Sequence, residues 1–119
     1  MEFEKLALEV SAIKAGLSTV TPGTLKGASG VVHKFDLLFT DGERKYAFDF
    51  YGSVADVEVV KSFAKRFDTG CYVSLIAPAG AVTEQAKGLA LFYNMRILTP
   101  DAAATYFALE KAAPVGTFG

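Results

Sequence analysis

Val31-Val32-His33-Lys34-Phe35-Asp36-Leu37-Leu38-Phe39, then Thr40-Asp41-Gly42-Glu43, then, after Arg44, Lys45-Tyr46-Ala47-Phe48-Asp49-Phe50-Tyr51: this stretch decides the fold. Two β-forming runs flank an Asp-Gly pair. Asp-Gly between strands favours a tight hairpin, because both central residues of such a turn take positive φ. A two-residue turn at Asp41-Gly42 sets Phe35 opposite Phe48, Leu37 opposite Tyr46 and His33 opposite Phe50. One face then collects these aromatic and aliphatic residues, with His33 packed among them or at the rim. The other face carries Lys34, Asp36, Leu38, Ala47, Asp49 and Tyr51. In this register Asp36 is diagonal to Asp49, a Cα separation of roughly 7–8 Å. Two Asp side chains so placed can converge on one ion, and Mg²⁺ takes carboxylate oxygens plus waters. The competing reading has one Asp in solvent and the other paired with Lys34 or Lys45.

Outward from the hairpin, residues 2–16 read as a helix with Phe3, Leu6, Val10, Ile13 and Leu17 as its apolar stripe. Glu2 and Glu9 flank that stripe, and either could lean over the sheet as a third acid or lie in solvent. A short edge strand is expected near Thr19, followed by a loop to Gly30. Ser53 and Asp56 resemble a capping box, with a helix to about Phe67 whose core side is Val57, Val60, Ala64 and Phe67. Residues 71–77 form an apolar run suited to a strand covered on both faces. Thr83 caps a third helix with Val82, Ala86, Leu89, Ala90 and Tyr93 inward. Met95–Leu98 reads as a strand, and Thr99-Pro100-Asp101 starts a last helix to about Lys111. The order is αβββαβαβα. It predicts an α/β domain with a mixed sheet flanked by helices: a hairpin first, then parallel βαβ units. Residues 1–111 form the domain and 112–119 a tail or linker.

Composition narrows the function. A chain of 119 residues, 51% hydrophobic, builds one core. No apolar run reaches the ~18 residues needed to span a bilayer, so no membrane partner is expected. The N-terminus lacks the pattern of a secretory signal. Cys71 is the single cysteine, which excludes an internal disulfide and a Cys-rich zinc site; a reducing cytoplasm is the expected compartment. The net charge of −1 argues against a nucleic-acid coat protein but leaves a nuclease open. Lys61, Lys65 and Arg66 on the second helix read either as phosphate contacts or as a solvated face. Lys26-Gly27-Ala28-Ser29-Gly30 lacks the ending of a phosphate loop and precedes a strand.

The segment Gly27-Ala28-Ser29-Gly30-Val31-Val32-His33-Lys34-Phe35-Asp36-Leu37-Leu38, with Ala47-Phe48-Asp49-Phe50-Tyr51, resembles the PD-(D/E)xK superfamily. More narrowly it is similar to the restriction-endonuclease-like, Mrr-like archaeal-type domains. Phe63-Ala64-Lys65-Arg66-Phe67-Asp68 echoes the helix motif of that group. The resemblance implies a restriction-endonuclease-like fold and hydrolysis of DNA phosphodiesters as a Mg²⁺- or Mn²⁺-dependent endonuclease. It implies Asp36, Asp49 and the Phe50 carbonyl as metal ligands, and a homodimer. The family pattern calls for Lys at position 51, where this chain has Tyr. Tyr51 is neutral at pH 7 and cannot offset phosphate charge. Activity is therefore expected to be weak unless Lys65 or Lys34 supplies the amine from a neighbouring position; Lys65 completes the catalytic set of Asp36 and Asp49. Two other readings stand beside this one. The first is a degenerate nuclease fold serving as a nucleic-acid-binding or protein-interaction module. The second is an unrelated α/β ligand-binding domain with its pocket near Pro78–Gly80.

Overall fold

The side chain of Asp41 shapes the hairpin. Its Oδ1 accepts the N–H groups of Glu43 at 2.9 Å and Arg44 at 2.7 Å. Thr40 Oγ1 accepts Gly42 N–H at 3.0 Å and donates to the Arg44 carbonyl at 2.9 Å. An Asx-type loop of residues 41–44 results, with Gly42 at φ 100°. In this computed structural model, which describes residues 2–107, the pairs are therefore Leu37 with Phe48, Leu38 with Ala47, Phe39 with Tyr46 and Thr40 with Lys45. The register is displaced by two residues from that of a two-residue turn. A displacement of two preserves which face each side chain takes.

The expected single strand 31–39 is broken. β3 (Val32–Lys34) and β4 (Leu37–Thr40) are separated by a bend at Phe35-Asp36. β3 leaves the main sheet to pair antiparallel with β2 (Thr24–Lys26), inside what reads from sequence as a loop. His33 thus faces Leu25 and not Phe50, and Phe35 packs with Leu38 and Ala47, away from Leu37 and Phe48. Five strands, not three, precede the second helix.

The main sheet has the order β1-β4-β5-β6-β7, where β1 is Ser18–Thr19, β5 Lys45–Phe50, β6 Tyr72–Ile76 and β7 Arg96–Leu98. β1–β4 and β4–β5 are antiparallel; β5–β6 and β6–β7 are parallel. Helices α2 (Asp56–Thr69) and α3 (Glu84–Tyr93) connect the parallel strands and pack on one face over Leu38, Ala47, Val73 and Leu75. Helices α1 (Glu2–Lys14) and α4 (Pro100–Ala104) pack on the other, over Phe39, Tyr46 and Phe48. The chain is a mixed α/β domain with a five-stranded mixed sheet flanked by helices. No described helix is long and apolar enough to cross a membrane. The expected tail 112–119, and the last helix beyond Phe107, lie outside the described residues.

Two helices bury a different line from the one their periodicity suggests. In α1, Leu8 and Ala12 are fully buried, while Phe3, Leu6, Val10 and Ile13 are exposed. In α2, Val59 and Ser62 are fully buried, and Val57, Val60 and Phe67 are exposed. Both helices carry apolar residues on more than one side. Helix α3 seats as expected, with Ala86 and Ala90 buried and Thr83 Oγ1 accepting Ala86 N–H at 3.1 Å.

Candidate functional site: an acidic corner with a lysine from a second element

At the bend before β4, Asp36 lies level with Asp49 of β5, closer than the diagonal placement expected. The two carboxylates interlock through backbone. Asp36 N–H donates to Asp49 Oδ1 at 3.0 Å, and Phe50 N–H donates to Asp36 Oδ2 at 2.7 Å. Asp49 is buried and Asp36 is exposed. The N–H and C=O of one extended residue point to the same side of its strand. The Phe50 carbonyl therefore lies on the Asp36 side as well.

Lys65 reaches this corner from α2. Its ammonium is 3.0 Å from Asp49 Oδ2, donates to the Lys34 carbonyl at 2.8 Å, and sits 5.0 Å from the centre of the Phe35 ring. The bend that carries Phe35 away from Leu37 is what gives Lys65 this aromatic floor. Of the two lysines considered for the missing position, Lys65 brings its amine to Asp49; Lys34 brings its carbonyl to Lys65.

Tyr51 is half-buried beside the row Glu58, Ser62, Lys65 on α2, one face of a helix at i, i+4, i+7. Burial pushes its phenol pKa up, and the Ser62 hydroxyl opposes that. Glu9 does not join the corner: α1 packs on the opposite face of the sheet. Among the described residues no group of three His, Cys, Asp or Glu side chains is gathered for a metal.

A second polar cluster braces the corner. Asp68, near the end of α2, accepts Ser29 Oγ at 2.6 Å, Ser29 N–H at 2.9 Å and His33 Nε2 at 2.7 Å. The Ser29 hydroxyl and His33 hold the Asp68 pKa down at about 2. Here the carboxylate sits between serine and histidine, so it orients neither for nucleophilic attack. What it does is tie the β2–β3 hairpin to α2, the two elements that present the Lys34 carbonyl and Lys65. A Cβ on Gly27 would overlap the Asp68 carboxylate, so a side chain there would displace that carboxylate from the brace. His33, read from sequence as part of the apolar face, belongs to this brace. Arg66 also serves the fold. Its guanidinium donates to the Asn94 carbonyl at 2.9 Å and the Tyr93 carbonyl at 2.6 Å, closing the end of α3.

No family model matches this chain, and no curated protein matches it. The chain is similar to a solved structure described as the crystal structure of protein of unknown function AF1548, with a TM-score of 0.61 and 15% identity. The match covers 91% of this chain and 65% of that one, so this chain spans about two-thirds of its length. At that identity the likeness concerns the fold alone.

Proposed function

We propose that this is a restriction-endonuclease-like domain that hydrolyses DNA phosphodiesters with a divalent metal ion, using Asp36, Asp49 and Lys65. The observation that carries the reading is Lys65. An amine from a different element stands 3.0 Å from Asp49, where the resemblance leaves position 51 without its lysine.

The donor set fits a hard dication. It comprises two carboxylates and one carbonyl, all oxygen, and such an ion keeps several waters. Asp36, Asp49 and the Phe50 carbonyl would hold Mg²⁺ or Mn²⁺. Bound there, the ion would polarise the phosphate and lower the pKa of a water. The protein's own part is positioning. Asp36 N–H fixes the Asp49 carboxylate, and Phe50 N–H fixes Asp36. Lys65, held by the Lys34 carbonyl and the Phe35 ring, offers its ammonium to a phosphate oxygen. Tyr51 packs against α2 and carries no charge in this role.

A second reading is a binding module without catalysis. It is favoured by the internal closure of the corner, where both Asp49 oxygens and one Asp36 oxygen already have protein donors.

Cleavage of single- and double-stranded DNA with Mn²⁺ separates the two. The expected result is slow wild-type cleavage, lost in Asp36→Ala and reduced about 10²–10³-fold in Lys65→Ala, the cost of one group that stabilises developing charge. Tyr51→Lys is expected to raise the rate. Wild-type cleavage unaffected by Lys65→Ala would overturn the role of Lys65. Silence in wild type together with no calorimetric Mn²⁺ binding would favour the binding module.

A further inference from the structure

The chain has only three arginines, Arg44, Arg66 and Arg96, against nine lysines. All three line a single cleft of about 410 Å³. They come from separate elements: the 41–44 loop, the last turn of α2 and the start of β7. No described carboxylate lines this cleft. Ser74, Asn94 and the half-exposed ring of Tyr72 are part of its wall. It lies at the N-terminal end of β6, away from the acidic corner at the C-terminal end of β5.

Guanidinium groups stay charged at every physiological pH and match the geometry of phosphate oxygens through paired N–H donors. Two of the three are positioned by the fold. Arg66 is held by the α3 carbonyls, and Arg96 lies 5.4 Å from the centre of the Tyr106 ring. Arg44 is exposed at the rim against the phenols of Tyr46 and Tyr72. The Tyr72 ring stacks on Tyr46 with centres 5.3 Å apart, a stiff aromatic surface at the mouth. An adjoining hollow holds Lys45 and Glu43, whose charges balance. Small-ligand sites typically fall within about 300–1,000 Å³. The cleft therefore has the volume for a nucleotide, cationic groups for its phosphate and an aromatic ring for its base.

We infer that this cleft binds a nucleotide 5′-phosphomonoester, either free or as the end of a strand. The inference is independent of the reading of the acidic corner. Calorimetric titration of the intact chain with 5′-AMP, inorganic phosphate and adenosine tests it, with Arg44→Gln and Arg96→Gln as variants whose folding is checked by circular dichroism. The expected result is saturable binding of 5′-AMP, tighter than phosphate or adenosine and weakened by salt. Each variant should weaken it about tenfold, the size of one charge-assisted contact. Asp49→Asn should leave it unchanged. A 5′-phosphorylated trinucleotide that matches 5′-AMP assigns a strand end; one that fails while 5′-AMP binds assigns a free nucleotide. Absence of 5′-AMP binding at millimolar concentration would overturn the inference. So would equal binding of phosphate or adenosine, equal binding in both folded variants, or loss of binding in Asp49→Asn.

Discussion

The acidic corner and the arginine cleft occupy opposite ends of the same two parallel strands, and they are built in opposite ways. At the corner, charges answer one another. Asp49 is buried, its oxygens receive Asp36 N–H and Lys65, and Lys65 is only partly exposed. At the cleft, like charges gather around open space, with Arg44 in solvent. A buried, mutually satisfied cluster holds the fold as well as doing chemistry. An exposed cation at such a rim, as Arg44 is, adds little to the fold. Stability measurements on the two ends should therefore diverge.

The largest loss is expected at the corner. Asp49→Ala strands the Lys65 ammonium and the Asp36 N–H, at a cost of about 2–3 kcal/mol, reduced from the fully buried range because Lys65 keeps some water. Asp49→Asn retains an acceptor and should lose less. Urea denaturation measures both, and a loss for Asp49→Ala no greater than that of an exposed residue would erase the contrast between the two ends.

Arg66 is the exception within the cleft. Its two bonds to α3 carbonyls make Arg66→Ala a structural lesion of about 1–2 kcal/mol, whether or not the cleft holds a ligand. A change matching that of Arg44→Ala would show that those bonds contribute nothing.

The brace adds a dependence on pH. The Asp68 pKa is held at about 2, below its ordinary 3.8. A depressed carboxylate contributes stability that is complete above the unfolded value and lost as the pH falls through the folded one. On the acid side, from about pH 5 downwards, the melting-temperature difference between wild type and Asp68→Asn should shrink towards pH 2. A difference that grows between about pH 5 and pH 2 would contradict the brace.

The smallest effect belongs to Arg44→Ala. The side chain is exposed, and Asp41 rather than Arg44 shapes its loop, so the urea midpoint should stay at the wild-type value. A clear fall in that midpoint would mean that the cleft also holds the fold.

Much of this architecture is legible in the residues. The Asp41-Gly42 hairpin, the caps at Thr83 and Thr99, and the apolar run at 71–77 announce the elements of a mixed α/β sheet. The nearness of Asp36 to Asp49 survives the two-residue displacement of register, but the bend at Phe35-Asp36 breaks the parity that would fix the face of Asp36. The bend at Phe35-Asp36 is hidden, since β-forming residues continue through it. The buried lines of α1 and α2 are hidden because each helix offers several apolar lines. His33 and Asp68 stand 35 positions apart, and nothing local pairs them. The arginines are scattered singly, so no charge run marks their cleft.

By itself, then, the sequence determined the hairpin and the later alternation of helices and strands with their approximate limits, but not the strand at Thr24–Lys26 or the break at Phe35-Asp36. The hairpin and the alternation follow from local rules of turn chemistry, capping and period. Only the tertiary structure decided that Lys65 meets Asp49, that Ser29 and His33 meet Asp68, and that three distant arginines share one cleft. Those meetings depend on helix rotation and on a strand changing sheets. Close packing against the sheet selects both, and no stretch of neighbouring residues encodes either.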